Sequence, residues 1–212
     1  MGTIERRERE KQELRTRILD AARELFAELG YEAVTMRRIA ERIEYSPTAI
    51  YFHFKDKEAL MRELCELDFA TLAQQFRKIA REKDPIERLR KVGHAYVAFG
   101  LEYPNHYRLM FMTPRPPIAP SEEGEARRGN PEEDAYAFLK ATVSDGLAQK
   151  RFRPELADAD LIAQTVWSGT HGVVSLHIAK CNDDWIDWRP VRKTATLIID
   201  GMIRGLTRAG AK

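Results

Sequence analysis

TMRRIAERIEYSPTAIYFHFKDK, residues 35–57, reads as two short helices joined by a tight turn. The first helix opens at Thr35, a suitable N-cap, and its apolar residues recur at helical spacing: Met36, Ile39, Ala40 and Ile43. The second opens at Ser46, with Pro47 at its first position, where a missing backbone N–H costs nothing. A helix of about two turns is too short to be stable alone. We therefore predict a helix–turn–helix whose second helix is anchored by three apolar side chains: Ile50, Phe52 and Phe54.

The sequence around this pair resembles the DNA-binding domain of TetR-family transcriptional regulators. The resemblance runs from Arg15 to Leu64 without a gap and rests on these residues: Gly30, Thr35, Ile39, Ala40, Ser46, Ile50, Tyr51, Phe52, His53, Phe54, Lys55, Lys57, Glu58 and Leu60. The segment IYFHFKDKEAL, residues 50–60, is far more restrictive than a generic helix–turn–helix pattern. At the turn, where the family usually has Gly, this chain has Glu44. A residue with a Cβ rarely takes the left-handed conformation, so the turn either has a different shape or stores strain.

Helical spacing continues on both sides of this segment, and no stretch shows the alternation of a strand. Gly30 is a natural C-terminal cap for the first helix. The segment 113–130 is rich in Pro, Gly and charge, which predicts a mobile loop. Helices outside the quoted segment are predicted at residues 8–29, 56–82, 84–103, 105–112, 131–149, 158–179 and 190–207. The predicted fold class is all-α.

The helix predicted from Asp56 to Glu82 has no Pro or Gly and spans roughly 39 Å at about 1.5 Å per residue. It can join a DNA-reading head to a separate body. We expect residues 1–57 to form a three-helix helix–turn–helix domain that includes the start of this linking helix. The TetR resemblance implies that residues 58–212 form a helical domain for ligand binding and dimerisation.

Composition gives only outer limits. The net charge is +2, so the overall charge does not predict nucleic-acid binding. The local arrangement does, because four cations flank the second helix of the pair: Arg37, Arg38, Lys55 and Lys57. Such cations can supply salt-sensitive affinity for phosphates. Cys65 and Cys181 lack metal-ligand spacing, and no two of the five histidines stand three or four residues apart. We therefore expect no metal site, no cofactor, no membrane span and a cytoplasmic protein.

The candidate DNA contacts fall into two groups. The exposed positions on the second helix are predicted to read bases: Ser46, Pro47, Thr48, Ala49 and Tyr51. The resemblance implies that Arg37 also reaches a base edge, and Arg suits the O6/N7 pair of guanine. Contacts to phosphates are predicted for Thr35, Tyr51, His53 and Lys57. The alternatives are that Tyr51 and His53 pack beside the neighbouring phenylalanines and that Lys55 is a solvated charge.

Aromatic residues and histidines cluster in the body. The segment YPNHYRLMF, residues 103–111, and Trp167 with His171-Gly172 resemble a TetR C-terminal subgroup whose signature is Trp, His and Gly. That resemblance implies an effector pocket lined by Tyr96, Phe99, Tyr103, Tyr107, Phe111, Trp167 and His171. A mostly apolar cleft with few polar groups suits a small, largely apolar ligand. The alternative is that Trp167 is a core residue and that His171 satisfies a buried carbonyl.

The last two helices are apolar over more than one stripe, which predicts burial on more than one side. One seam of the first, at Leu161, Thr165, Ser168, Gly172, Ser175 and Ala179, is almost all small. Periodicity alone leaves two possibilities, an intrachain core or an interface with a second subunit. The resemblance implies a two-fold homodimer through these helices, and two reading helices about 34–36 Å apart match successive major grooves of a palindromic operator.

The function predicted from the residues and the resemblance together is a DNA-binding, ligand-responsive transcriptional regulator, a repressor released by its effector. The alternative is an accessory dimer that keeps the DNA-binding head but uses its body to bind a protein partner. An all-helical enzyme has no motif in its favour, because the chain has neither a Gly-rich phosphate loop nor a GxSxG turn. We therefore expect no catalytic residue.

Overall fold

The computed structural model describes residues 3–115 and 117–208. Within these ranges the chain forms helices and no strand, apart from an isolated antiparallel bridge between Phe152 and Thr207. The all-α prediction is confirmed. The α-helices are α1 Thr3–Leu29, α2 Met36–Arg42, α3 Pro47–His53, α4 Lys57–Arg77, α5 Pro85–Glu102, α6 Pro104–Tyr107, α7 Glu122–Arg127, α8 Ala135–Ala148, α9 Ala159–Lys180 and α10 Val191–Leu206, and a π-helical turn, Arg108–Met112, follows α6.

Local capping chemistry sets most of these boundaries. Asp84, Asp134 and Asp158 are the N-caps of α5, α8 and α9, and each carboxylate accepts hydrogen bonds from two backbone N–H groups of the first turn. Gly30 ends α1 with a φ of 78°, a conformation that glycine takes at little cost. The predicted ends of these helices lie within five residues of the observed ones, and the largest differences are at the starts of α1 and α8.

The linking helix is shorter than predicted. Helix α4 ends at Arg77 rather than near Glu82, so its 21 residues span about 32 Å. After Arg77 the backbone switches to bonds between residues three apart, from Ile79 N to Phe76 O at 2.8 Å and from Ala80 N to Arg77 O at 3.2 Å. Such bonds tighten the end of a helix and stop it from continuing.

The mobile loop predicted at residues 113–130 is also corrected, because this segment contains α7. Two side chains of α4 hold it. Arg62 Nε donates to the carbonyl of Ala119 at 2.8 Å, and Glu66 accepts from the backbone N–H and hydroxyl of Ser121 at 2.7 and 2.9 Å. The composition of residues 113–130 predicts the lack of a periodic apolar face. It does not predict that Arg62 and Glu66, which lie far away in sequence, bind the backbone of this segment.

The chain divides into two compact units, Met1–Asp68 with Asn105–Gly124 and Phe69–Pro104 with Glu125–Lys212. The core of the first unit is a continuous cluster from α1, α2, α3 and the first half of α4, which includes Ile18, Ala22, Phe26, Ile39, Ile50, Leu60, Met61 and Leu64. Leu109 of the π-helical turn joins that cluster. This core therefore holds the helix pair of residues 35–57 in place.

A charged group is also buried in the first unit. Asp68 is 1% exposed, and its Oδ1 lies 3.0 Å from Nη2 of Arg23 and 2.9 Å from Nδ1 of His106. Asp20 pairs with the other terminal nitrogen of Arg23 at 2.9 Å. These contacts join α1, α4 and α6 through polar side chains as well as by apolar packing.

The second unit is built from α5, α8, α9 and α10. Helices α5 and α10 approach closely where Gly93 faces Ile199, since a Cβ at Gly93 would lie 3.2 Å from the Ile199 side chain. The lack of a side chain at Gly169 likewise makes room for Met202 between α9 and α10. Arg90 and Asp200 form an ion pair beside the first contact. None of the described helices is both long and apolar enough to cross a membrane.

Candidate nucleic-acid interface

Helix α2 and the turn after it are fixed by backbone caps. The Thr35 hydroxyl accepts from Arg38 N at 3.2 Å, which confirms Thr35 as the N-cap. After α2, Glu44 has a φ of 62°, and Tyr45 N bonds to Ala40 O at 2.9 Å. The turn therefore keeps the left-handed conformation that glycine would favour, although Glu44 has a Cβ.

Helix α3 is short and is held from one side only. Ser46 caps it by accepting from Ala49 N at 3.3 Å, and Pro47 occupies the first helical position, as predicted. Ile50 is the one residue of α3 that is buried, and Phe54 is buried directly after the helix. The rest of the helix surface faces away from the core.

Phe52 corrects the predicted anchor. Its side chain is 74% exposed, because it lies on the side of α3 opposite to the core that Ile50 enters. The Phe52 ring makes an edge contact with His53 at a centroid distance of 5.6 Å, and the Lys11 ammonium of α1 lies 5.7 Å from its centre. The residue type of Phe52 predicts a core position. Its place around the axis of α3 puts the side chain in solvent instead.

The residues predicted to read bases lie on the free side of α3. Ser46, Pro47, Thr48 and Tyr51 are exposed and Ala49 is half-buried. On α2, Arg37 is 80% exposed and pairs through Nε with Glu41 at 2.9 Å. A guanidinium on a helix surface that is paired only with an exposed carboxylate can exchange that partner for a base edge or a phosphate.

The cations predicted to flank α3 have different surroundings. Lys55 is exposed, and Arg38 donates to the carbonyl of Ala33 at 2.9 Å. Lys57 is half-buried, with its ammonium donating to the Tyr31 carbonyl at 2.9 Å and lying 4.1 Å from the centre of the Tyr31 ring. Lys57 therefore has a structural role within the head whether or not it also meets a phosphate.

The surroundings of His53 favour its neutral form. Its Nδ1 is buried and has no hydrogen-bond partner among the residues that the structure describes. Burial lowers the pKa of His53, and the positive charges of Arg15 and Lys11 lower it further. A neutral ring with its proton on Nε2 still offers one donor to a phosphate oxygen.

Two arginines of α1 brace the helix pair, and sequence reasoning missed them. Arg15 donates to the carbonyl of His53 at 3.2 Å, and its guanidinium lies 4.5 Å from the centre of the Phe54 ring. Arg17 donates to the carbonyl of Ile43 at 3.2 Å. Both bind carbonyls that the ends of α3 and α2 leave without an intrahelical donor. The only sequence feature that could have identified this role is that both arginines lie on α1, the helix next to the helix–turn–helix.

In the second unit, three of the predicted effector residues contact one another. Trp167 Nε1 donates to the Tyr96 hydroxyl at 2.9 Å, and that hydroxyl lies 3.3 Å from His171 Nδ1. The Tyr96 hydroxyl therefore links Trp167 and His171 in one hydrogen-bonded chain. Burial lowers the pKa of His171, consistent with a neutral ring.

The other predicted effector residues divide between the units. Phe99 and Tyr103 belong to the second unit, with ring centroids 5.5 Å apart. Tyr107 and Phe111 belong to the first, with centroids 4.9 Å apart, and Tyr107 is fully buried. Tyr96 and Phe99 are buried as well. Contacts are thus present within three sets of these seven residues, and their assignment to an effector site stays a prediction.

The geometry of the first unit defines the class of protein. A short helix capped at its N-terminus, braced by two other helices and presenting polar and basic side chains is the architecture of a helix–turn–helix DNA-binding regulator. Residues 18–64 match the family described as bacterial regulatory proteins, tetR family, and residues 89–187 match the tetracyclin repressor-like C-terminal domain. Together these matches cover about two thirds of the chain. The chain belongs to the tetR family of bacterial regulatory proteins.

Individual relatives agree with this assignment. The chain is 40% identical over 85 residues to the HTH-type transcriptional regulator UidR of Escherichia coli K12, and the match covers 40% of each chain. It is 47% identical over 60 residues to the HTH-type transcriptional repressor AcnR of Corynebacterium diphtheriae, which covers 28% of this chain and 32% of AcnR. The match thus spans about 40% of the length of UidR, one of the relatives whose function is named.

A solved structure matches over most of the chain. The TetR family transcriptional regulator PfmR of Thermus thermophilus has a TM-score of 0.67 and 26% identity, covering 90% of this chain and 99% of PfmR. The family and these relatives are transcriptional regulators rather than enzymes. The prediction that the protein is not an enzyme is confirmed on that ground.

Proposed function

We propose that this protein is a repressor that binds a palindromic operator as a homodimer and is released by a small, largely apolar effector. The observation that carries the proposal is the exposed face of α3. Ser46 caps the helix, Ile50 and Phe54 hold it, and Thr48 and Tyr51 remain open to solvent. A helix held in this way can enter a major groove without losing its contacts with the core.

The proposed roles on DNA follow from side-chain chemistry. Arg37 suits a guanine, and the Thr48 methyl and Pro47 suit thymine methyl groups. Ser46, Ala49 and Tyr51 are the other candidates for base contacts. Six residues are proposed to set the register by binding phosphates: Thr35, Arg38, Tyr51, His53, Lys55 and Lys57. Among these, Lys55 has the exposure of a pure phosphate contact. Residues 1–57 would form the DNA-binding domain in this proposal, and residues 58–212 would serve ligand binding and dimerisation.

The surface of α9 and α10 supports the homodimer. Leu161 and Leu176 of α9 and Leu197 and Ile198 of α10 are exposed in the single chain. Gly172 and Gly201 are also exposed, and a Cβ added at either would meet nothing within 4 Å. Exposed apolar residues beside glycines favour close packing against another helix pair. A two-fold dimer would present two copies of α3 to one operator.

The effector site is proposed around Tyr96, Trp167 and His171. These side chains provide a polar group within an aromatic environment, with a neutral imidazole that favours a neutral over an anionic ligand. Helix α4 belongs to the first unit up to Asp68 and to the second after it. An effector that binds one arrangement of α4 better than another, by about 1–3 kcal/mol, would shift operator affinity correspondingly. A relative named as a repressor supports the direction of the response.

Selection of bound duplexes from a random pool tests the DNA-binding part of the proposal. The wild type should enrich two inverted half-sites separated by about one helical turn. Arg37→Ala should relax the preference at one position in each half-site, at a cost of about 1–3 kcal/mol for the preferred base. Arg192→Ala, which removes an exposed arginine from α10 instead, is the matched control and should enrich the wild-type sequence. Enrichment of a single, unrepeated site or of no sequence would contradict the proposal.

A further inference from the structure

One stripe of α1 changes in character along the helix. Residues 7, 11, 14, 18, 21 and 25 recur at alternating intervals of four and three, so their side chains share one side of the helix. Ile18, Ala21 and Leu25 of this stripe are buried in the core of the first unit, and Leu14 is half-buried at its edge. Beyond that edge, the stripe continues with Arg7 and Lys11, both exposed.

Lys11, in the cationic part of this stripe, lies beside α3. The Lys11 ammonium is 5.7 Å from the centre of the Phe52 ring, and Phe52 is exposed on the outer surface of α3. The next residue, His53, contacts the same ring and has its pKa lowered in part by the charge of Lys11. Because an aromatic ring attracts a cation without neutralising it, Lys11 is held near α3 with its charge available.

The other cations of this part of α1 have carboxylate partners. Arg6 pairs with Glu10 at 2.7 Å and Arg9 with Glu13 at 3.8 Å, each across one turn. Arg7 and Lys11 have no carboxylate within ion-pair distance in the part of the chain that the structure describes, although Glu8 and Glu10 stand on the neighbouring faces. The two cations without a carboxylate partner therefore share the stripe of α1 on which Lys11 meets α3.

We propose that Arg7 and Lys11 bind backbone phosphates of the duplex that α3 reads, so that the first turns of α1 form a second DNA-contacting element. The proposal rests on the DNA-binding function proposed above. DNA is favoured as the occupant because the exposed Lys55 follows the same end of α3, and cations beside a reading helix meet the phosphates that border the groove. Arg7 and Lys11 lie N-terminal to the matched family domain, which begins at residue 18.

Salt titrations of duplex binding test this proposal in the full-length protein. The logarithm of the binding constant falls linearly with the logarithm of salt concentration, with a slope of about −0.9 for each phosphate neutralised. Because a homodimer carries each substitution twice, Arg7→Gln and Lys11→Gln should each reduce the slope by about 1.8, and the double variant by about 3.6. Affinity should fall by the same factor on the selected operator and on a scrambled duplex, since phosphate contacts carry no sequence information.

Arg6→Gln is the matched control, because it removes the same charge one residue away on a different side of the same helix. A general electrostatic effect would reduce the slope equally for Arg6 and Arg7, whereas a contact would change it only for Arg7 and Lys11. Equal slopes for Arg6→Gln and Arg7→Gln, or a slope unchanged by Lys11→Gln, would overturn the proposal. A lower thermal stability of Lys11→Gln with an unchanged slope would also overturn it, since Lys11 would then only stabilise the fold. Absence of duplex binding by the wild type would instead contradict the proposed function.

Discussion

At the scale of single residues, His53 couples the stability of the head to pH. Its folded-state pKa is lowered by burial and by the charges of Arg15 and Lys11, so the unfolded chain binds its proton more readily than the folded chain does. Stability must therefore fall as pH drops below the unfolded pKa of about 6.5. We predict that His53→Gln loses less stability than the wild type between about pH 7.5 and pH 5.5.

Denaturant unfolding of both proteins at each pH measures this difference. His94→Gln provides the control, because His94 is an exposed histidine on α5 in the second unit. That variant should follow the wild-type pH dependence more closely than His53→Gln does. Parallel pH dependences for wild type and His53→Gln would show that the buried Nδ1 of His53 does not resist protonation.

The turn residue Glu44 and the exposed Phe52 show what single positions reveal in a sequence. The replacement of Gly by Glu at the turn could be identified from the sequence, but its φ of 62° could not, since two turn shapes were compatible with the pattern. Its apolar side chain and its place between Ile50 and Phe54 predict a core position for Phe52. Only the angular position of Phe52 on a two-turn helix, which depends on how α3 docks, places it in solvent.

At the scale of elements, local chemistry predicted more than long-range contacts did. The caps at Thr35, Ser46 and Asp84 could be read directly because each acts on the backbone a few residues away. Helix α7 could not be, because Arg62 and Glu66 hold the segment around it from more than fifty residues away. The pairing of Tyr96 with Trp167, 71 residues apart, likewise depends on how α5 packs against α9.

The buried carboxylate of Asp68 gives a prediction for α4. Asp68 is the middle member of a series at intervals of four whose other members are apolar: Leu60, Leu64, Leu72 and Phe76. A charged residue therefore occupies a position at which helical spacing predicts an apolar one. Asp68→Asn would leave the Arg23 guanidinium, with a side chain only 10% exposed, without its main counter-charge. We predict a loss of about 3–5 kcal/mol in the free energy of unfolding, measured by urea denaturation.

An exposed ion pair in the same unit is the control for the effect of burying a charge. Glu24 pairs with Arg42 at 3.2 Å with both side chains well exposed, so Glu24→Gln should cost less than about 1 kcal/mol. The double variant Arg23→Met with Asp68→Leu should recover most of the stability lost in Asp68→Asn, because neither partner is then left charged in the core. A loss below about 1 kcal/mol for Asp68→Asn would mean that water reaches Arg23.

At the scale of the whole molecule, Gly201 allows folding and dimerisation to be tested separately. Gly201 is an exposed residue of α10, and a Cβ there meets nothing within 4 Å in the single chain. Gly201→Leu should therefore stabilise the isolated chain by up to about 1 kcal/mol, since Leu favours the helix more than Gly does. The same side chain should prevent the close approach of a second subunit through α9 and α10. We predict that the variant sediments at the 24.5 kDa of one chain and the wild type at twice that mass.

The consequence for DNA follows from two-fold symmetry. A dimer binds both half-sites of an operator together, so the single-chain variant should lose most of its preference for the full palindrome over one half-site. Leu29→Glu, which alters an exposed leucine at the end of α1 instead, should remain at twice the single-chain mass. Persistence of the doubled mass in Gly201→Leu would assign the dimer to another surface. The exposed leucines of α9 and α10 would then need a different partner, as in a body that binds another protein.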